Sequence, residues 1–397
     1  GGTTWESVTD GLSNPGVAGV VVSPTNGNIV YVLTGDGDSY SPGYLVYDYG
    51  SSRPSIGVFK STDGGNSWTQ TGSLYTGGDY EGHELAISPT DGNHLLAATS
   101  QGIYRTTNGG TTWTQVKTGE HWDVVFKPGS NTTVYASSGS GIFYSTDGGV
   151  TWNTATTDFS VAAAGRIQLA VSPANTNYVY AIGGATPAAG QFTGIFRSTN
   201  SGVSYTRRCN TPNVLGSEEN GLDANNQGAY DLGITVKPSD ENYVATCGLN
   251  VWVSNGSNGA SSMVWSTKYR EGYAGAANKY IHPDVHAVAY NPLNDNLYAA
   301  TDGGFYRSTD DGTSWTNLSA GLITSQFYGM AMRDADADGD ADGLQILAGA
   351  QDNGIKHRTV AGPTVFNHVI CCDGYGSAIS PDDPDVMYYN INSNFYR

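Results

Sequence analysis

Short apolar runs recur along the whole chain, and each one stops at the same kind of polar turn. The runs end at Ser23-Pro24, Ser88-Pro89, Lys127-Pro128, Ser172-Pro173, Lys237-Pro238, Asn291-Pro292 and Ser380-Pro381, and most are followed by Asn, Asp, Ser or Gly and then a second apolar run. A copy without proline at Phe327–Met332 makes eight units. Proline and the small polar residues fix a turn, and the short runs on either side are strand length. Each unit therefore opens with two strands joined by a proline turn.

A second signal completes the unit. Ser61-Thr-Asp63-Gly-Gly65-Asn-Ser-Trp68 returns as Thr106–Trp113, Ser145–Trp152, Ser198–Tyr205 and Ser308–Trp315, and Gly1–Trp5 is the tail of another copy. Each box follows a short apolar run such as Gly57–Lys60 or Gly102–Arg105. It reads as a hairpin turn in which Asp or Asn caps its own backbone, Gly supplies a positive φ, and Trp packs where the next strand begins. The order within a unit is strand, proline turn, strand, variable loop, strand, box, strand; in the first unit the strands fall at 19–23, 29–33, 58–61 and 68–71. Four short strands repeating every 40 to 60 residues or so mark an all-β fold, a β-propeller of four-stranded blades. Eight blades are expected, with seven or part of a larger array as alternatives. Residues 1–397 read as one domain, in which Gly1–Trp5 and Asn394–Arg397 complete one blade.

The box resembles the Asp-box, or bacterial neuraminidase repeat, and nearly the whole chain resembles the propeller proteins that carry it: sialidases, xyloglucanases, sortilin-like ectodomains and other secreted repeat proteins. The resemblance implies architecture more than activity, because in those families the box lies in a structural hairpin away from the ligand face and the activities differ. Gly35–Asp38, His282–His286 and Gln351–Gly354 together resemble a group of secreted Asp-box proteins often exported by the type IX pathway. The resemblance does not extend to sialidase chemistry, which needs three clamping arginines and a Phe-Arg-Ile-Pro signature. Arg105, Arg197 and Arg307 all occupy the slot before a box, and Gly165-Arg166-Ile167 is a poor substitute for the signature.

Charge narrows the partners. Eighteen basic against 36 acidic residues give a net charge of −18, which argues against nucleic acid or an anionic membrane surface. No apolar run approaches the roughly 20 residues that span a bilayer, so no membrane insertion is expected. The 54 Gly, 26 Tyr and 8 Trp suit an extracellular or cell-surface all-β protein. The four cysteines are too few for a disulfide framework. A Cys209–Cys247 bridge is one reading and four buried thiols the other, while the vicinal Cys371 and Cys372 bond to each other only with strain.

In a propeller the proline turns and boxes share one face, and ligand chemistry belongs to the other. Counting back five residues from each turn proline gives Gly19, Glu84, Asp123, Gln168, Gly233, Ala287 and Gly376 on the innermost strands. Glu84 and Asp123 are adjacent-blade carboxylates that suit acid and base roles in glycoside hydrolysis, or simply line a wet channel. On the same face lie Asp36 and Asp38 with a Tyr-rich insertion, and also His282, Asp284, His286, Asp302, Gln351, Asp352 and Asp373. Two imidazoles and a carboxylate within His282–His286 suit a metal where the segment bends to bring them together, or hydrogen bonds to neighbouring loops. Trp122 and Tyr40, Tyr44, Tyr47 and Tyr49 offer stacking surfaces of the kind a xyloglucanase-like enzyme needs.

The seventh unit replaces its proline turn with Asp334-Ala-Asp336-Ala-Asp338-Gly-Asp340-Ala-Asp342-Gly343. Carboxylates at positions 1, 3, 5 and 9 with glycine at 6 present hard oxygens to a structural calcium ion. The loop resembles the calcium hairpins of integrin-type propellers and departs from an EF-hand at Gln345, where the bidentate Glu would stand. The sequence thus points to a secreted, calcium-stabilised recognition or structural module for a glycan or an extracellular protein. The alternatives are a xyloglucanase-like glycoside hydrolase and a repeat unit of a filament or adhesin that self-assembles or stands in tandem.

Overall fold

The computed structural model describes the chain except residues 1, 3, 10–11, 13–15, 36–53, 140, 159–164, 185–191, 225, 269–277, 323–326, 335–343, 359–365, 384 and 393. Its strands form eight antiparallel meanders in chain order. The first sheet contains Val17–Val22, Val30–Thr34, Val58–Ser61 and Thr69–Gln70. The expected strand order and spacing therefore hold to within about two residues. The fourth sheet gains a fifth strand, Thr156–Thr157, parallel to Ser204–Cys209. The eighth has three strands, Gly374–Ile379, Met387–Ile391 and Asn394–Tyr396. The copy without proline in the seventh unit forms the strand Gly329–Asp334.

The contacts group into two compact units, Gly1–Ala320 with six sheets and Gly321–Arg397 with two. Within the first unit, the innermost strand of each sheet packs against the innermost strand of the next. The second strand of a sheet is then covered on both faces, and alternate side chains serve different interfaces. Leu95 packs with Tyr31, Leu33 and Val58 of the first sheet, whereas Leu96 packs with Val124 and Phe126 of the third. Both leucines are fully buried, a gain of about 1.5–3 kcal/mol each. In the second unit, Leu347 and Ile355 of the seventh sheet share a small core with Ile391 of the eighth.

The repeated boxes fold as their residues dictate. Ser61 Oγ donates to Asp63 Oδ1 at 2.7 Å and accepts from Gly65 N at 2.8 Å, while Ser67 donates to Asp63 through N (2.9 Å) and Oγ (2.6 Å). Asp147, Asp310, Asn108 and Asn200 accept the equivalent N–H bonds from Thr151, Ser314, Thr112 and Ser204. Gly65 takes φ 99°, open to glycine at little steric cost. Box glycines also donate back to the end of the proline turn in their own sheet, as Gly64 N does to Asn28 O (2.9 Å) and Gly148 N to Thr132 O (2.7 Å). Boxes and proline turns accordingly share one end of the sheets that carry both.

Box tryptophans reach one sheet back. Trp113 Nε1 donates to Thr71 Oγ1 and Trp315 Nε1 to Ser266 Oγ. Trp5 packs on Phe305 of the sixth sheet, and Trp68 of the first sheet donates to Val8 O. The amino-terminal segment is thus a further link in this series within the first unit.

The cysteines are all free, so the proposed bridge does not form. Cys209 lies in the core between the fourth and fifth sheets and Cys247 in the core between the fifth and sixth, on opposite sides of the fifth sheet. The alternative of four buried thiols fails too, because Cys371 and Cys372 are exposed.

Candidate functional site at the inner ends of the fifth and sixth sheets

Opposite the boxes, the approaches to the first strands of the fifth and sixth sheets meet the turn between Leu297–Thr301 and Gly304–Ser308. Asp302 stands in that turn. Its Oδ1 contacts His286 Nε2 at 2.7 Å and its Oδ2 accepts from Tyr230 Oη at 2.8 Å. The rings of Tyr230 and His286 meet edge to face at 4.7 Å. His286 and Asp302 remain just under a third exposed, so this trio presents fixed polar groups to a ligand.

Local backbone explains why these side chains meet. Asp284 has φ 57°, the strand begins only at Val285, and its register shifts between Val285 and Ala287. Strand alternation therefore does not govern 282–286. Instead of converging with His286 on one point, His282 contacts the Pro283 carbonyl through Nδ1 and lies against Gly303, where any side chain would strike its ring. Asp284 is buried, and one of its carboxylate oxygens lies within 4.8 Å of one from Asp302.

Two residues that the sequence reading passed over complete the group. Arg166, at the start of the first strand of the fourth sheet, donates through Nη1 to the carbonyls of Tyr230 (3.1 Å) and Ala229 (3.4 Å). It thereby fixes the segment that delivers Asp231. The Asp231 side chain is wholly buried, and its carboxylate meets no hydrogen-bond donor beyond its own backbone N–H among the described residues. Burial, reinforced by the charges of Asp284 and Asp302 and opposed by Arg166, holds its carboxyl well above the usual range. Burial likewise raises the Tyr230 hydroxyl, together with the neighbouring Asp302. For Asp302, burial acts upward, but the hydrogen bonds and charge of His286 and the bond from Tyr230 prevail and lower it. A count of seven back from the turn proline would have found His121, Arg166 and Asp231, one step closer to the rim than the count of five.

Asp123 is buried, and its Oδ2 accepts from Leu169 N of the next sheet at 2.6 Å, so it braces two innermost strands. Burial pushes its carboxyl to about 6 against the pull of that bond and of Arg166. Glu84 accepts from its neighbour Leu85 N at 3.0 Å. Trp122 packs on His83 at 4.3 Å and lies 6.0 Å from the Arg166 guanidinium. His83 Nε2 is 3.8 Å from Glu120 Oε1, yet burial holds that imidazole at about 3, so the contact is not an ion pair at neutral pH.

In the second unit, Gln351 accepts from Tyr328 Oη (2.8 Å), Asp352 N donates to Asp373 Oδ1 (3.1 Å), and Asp373 N donates to Asn392 Oδ1 (3.0 Å). Asp36 and Asp38, the tyrosines at 40–49, and Asp336, Asp338, Asp340 and Asp342 lie outside the described residues. Asp334 ends its strand and pairs with Leu344.

No curated protein matches the chain in sequence. The family model of Sortilin, neurotensin receptor 3 (Sortilin-Vps10) matches residues 101–211, a likeness of that segment. Among solved structures, the GH74 xyloglucanase from Xanthomonas campestris is similar over 99% of this chain and 60% of its own, with 14% identity and a TM-score of 0.67. The Niastella koreensis GH74 enzyme is similar over 95% and 62%, with 17% identity and a TM-score of 0.55. YCF48 bound to D1 peptide is similar over 89% and 95%, with 15% identity and a TM-score of 0.50. The chain thus spans about three fifths of the GH74 structures, and at these identities the likeness speaks for fold alone. Among the described residues, no helix is long and apolar enough to cross a membrane. Four-stranded meanders packed innermost strand to innermost strand, together with these likenesses, make the chain a β-propeller protein.

Proposed function

We propose that the chain is an extracellular recognition module, secreted or displayed at the cell surface, whose partner is a glycan or an extracellular protein. The observation that carries this reading is the Tyr230–Asp302–His286 trio. Three planar polar groups are locked by hydrogen bonds of 2.7 and 2.8 Å, and two of them are about a third open to solvent. Fixed donors and acceptors beside aromatic faces are what recognition of a polar ligand requires. A calcium ion held by Asp334, Asp336, Asp338, Asp340 and Asp342 would stiffen the hairpin of the seventh sheet and take no part in recognition. The net charge of −18 goes with a neutral or cationic partner and against nucleic acid.

The rival reading is a glycoside hydrolase using Glu84, Asp123, Asp36 or Asp38. Asp123 with its carboxyl near 6 has the acidity of a general acid. Its burial and its bond to Leu169 N hold it away from a substrate, which favours recognition. One experiment separates the two. Wild type, Asp302→Asn and Asp123→Asn are compared on a glycan array and for product release from xyloglucan and related polysaccharides. Retention of a glycan without product, lost in Asp302→Asn, supports recognition. Product release lost in Asp123→Asn overturns it.

A further inference from the structure

We propose that Cys371 and Cys372 form a thiol–disulfide switch. A small disulfide such as oxidised glutathione converts the pair into a vicinal disulfide, and the ring that closes loosens the turn at 352–354. Both thiols are exposed, and their sulfurs stand 2.8 Å apart.

Successive side chains of a strand point to opposite faces, so neighbouring cysteines in extended chain hold their sulfurs apart. Here the strand Asn367–Ile370 has ended, and Cys372 takes φ 80°, a conformation seldom adopted by residues other than glycine, asparagine and aspartate. That bend leaves both sulfurs on one side. The surrounding turns hold it in place. Cys372 O accepts from Gly354 N (2.8 Å), Asp373 N donates to Asn392 Oδ1 (3.0 Å), and Asn392 N donates back to Asp373 O (3.1 Å). Gly354 packs so closely that a Cβ there would stand 1.8 Å from Ile370 O. A strained backbone persists only where its surroundings enforce it, and such positions gather at switches.

The reaction is thiol–disulfide exchange. One cysteine thiolate attacks the glutathione disulfide and expels a glutathione thiolate; the neighbouring thiolate then attacks the mixed disulfide, forms the Cys371–Cys372 bond and expels the second glutathione. The pair gives up two electrons and two protons, and one glutathione disulfide becomes two glutathione thiols. An exposed thiol beside its resolving partner is the arrangement of redox-sensing cysteines. Adjacent Cα atoms stand about 3.8 Å apart, short of the roughly 4.4–6.8 Å that a relaxed disulfide spans, so the ring is strained and readily reduced again. Its closure turns the 371–372 peptide. The adjoining acceptors, Cys372 O and Asp373 Oδ1, are those that hold Gly354 N and Asp352 N.

The test equilibrates the reduced chain in glutathione buffers of stepped oxidised-to-reduced ratio, quenches with acid, alkylates in denaturant and maps the products by mass spectrometry. The peptide carrying Cys371 and Cys372 should pass from two alkyl groups to none with the loss of two hydrogens, and return in reducing buffer, while Cys209 and Cys247 stay alkylated. Cys371→Ser should stop at a mixed disulfide of Cys372 with glutathione. In the oxidised chain the amides of Asp352 and Gly354 should exchange with solvent roughly tenfold faster or more, the protection of one hydrogen bond being lost, and those of Leu95 and Leu96 at an unchanged rate. Two alkyl groups at every ratio, glutathione retained on the wild type, or a disulfide between two chains overturns the bond. Oxidation with unchanged exchange at 352 and 354 overturns the switch.

Discussion

The indole of Trp5 meets the ring of Phe305 edge to face at 5.5 Å, and its Nε1 donates to the carbonyl of Leu318, 313 residues further along the chain. Three residues on, Val8 O accepts from Trp68 Nε1 at 2.7 Å. The amino-terminal segment therefore fastens the sixth sheet and the first, as Trp113 and Trp315 fasten their own sheets to the ones before.

Removing that fastening should loosen the first unit. Trp5→Ala loses an aromatic pair and a hydrogen bond, together about 1–3 kcal/mol. Urea unfolding followed by tryptophan fluorescence should show a lower midpoint with an unchanged slope. An unchanged midpoint would mean that the segment merely rests on the surface.

The boxes set a low-pH limit. The Ser67 hydroxyl, then the Ser61 hydroxyl and Ser67 N–H, hold the Asp63 carboxyl at about 2; at Asp147, burial is outweighed by the bonds from Thr151, with the same result. Folded values below the unfolded 3.8 mean that this stabilisation is complete above about pH 4 and is lost as pH falls toward 2. Asp63→Asn copies what Asn108 already does with Thr112. It should fold normally at pH 7 and lose less melting temperature than wild type between pH 4 and pH 2.

A second window lies higher. Burial holds His83 at about 3 and His121 at about 4, while the unfolded side chains titrate near 6.5. Below that value the unfolded chain takes up protons that the folded chain refuses. Stability is thus full above about pH 6.5 and declines as pH falls toward 4. In His83→Leu the melting temperature should depend less steeply on pH across this window, whatever its level at pH 7. An identical slope would show that His83 does not titrate between the two states.

Thiol chemistry should sort the cysteines by location. Burial raises Cys209 to about 11 and lifts Cys247 well above the ordinary range, which suppresses thiolate. Cys371 and Cys372 are exposed, with sulfurs 2.8 Å apart. A thiol reagent on the native protein should label two of the four sites rapidly and the other two only after denaturation. A trivalent arsenical should block the rapid pair and spare the slow pair.

Much of this was legible because it is local. A box is closed by residues within eight positions of one another, and a proline turn by fewer, so Ser61–Trp68 and Ser23–Asn28 declare their hairpins without reference to the rest of the chain. The second strands were legible as strands, but their two-sided burial, with Leu95 and Leu96 serving opposite neighbours, depends on how sheets stack. The site was half legible. His286 and Asp302 were singled out by residue type, but their pairing rests on a turn in one strand pair facing a register shift in another. Asp231 escaped notice because a carboxyl before an apolar strand resembles any solvated loop residue. Only the depth at which Arg166 holds its segment makes it unusual. Cys209 and Cys247 were misjudged for the same reason: sequence distance does not reveal on which side of the fifth sheet a side chain falls.

The backward reach of the box tryptophans has a consequence for descent. The indoles of Trp113 and Trp315 grip the sheet immediately before their own, at Thr71 and at Ser266. Duplicating or deleting a whole repeat in the gene would leave every remaining grip with a suitable partner, whereas a breakpoint inside a repeat would strand one. Copy number in such a chain can drift by whole units while the joints between them stay the same.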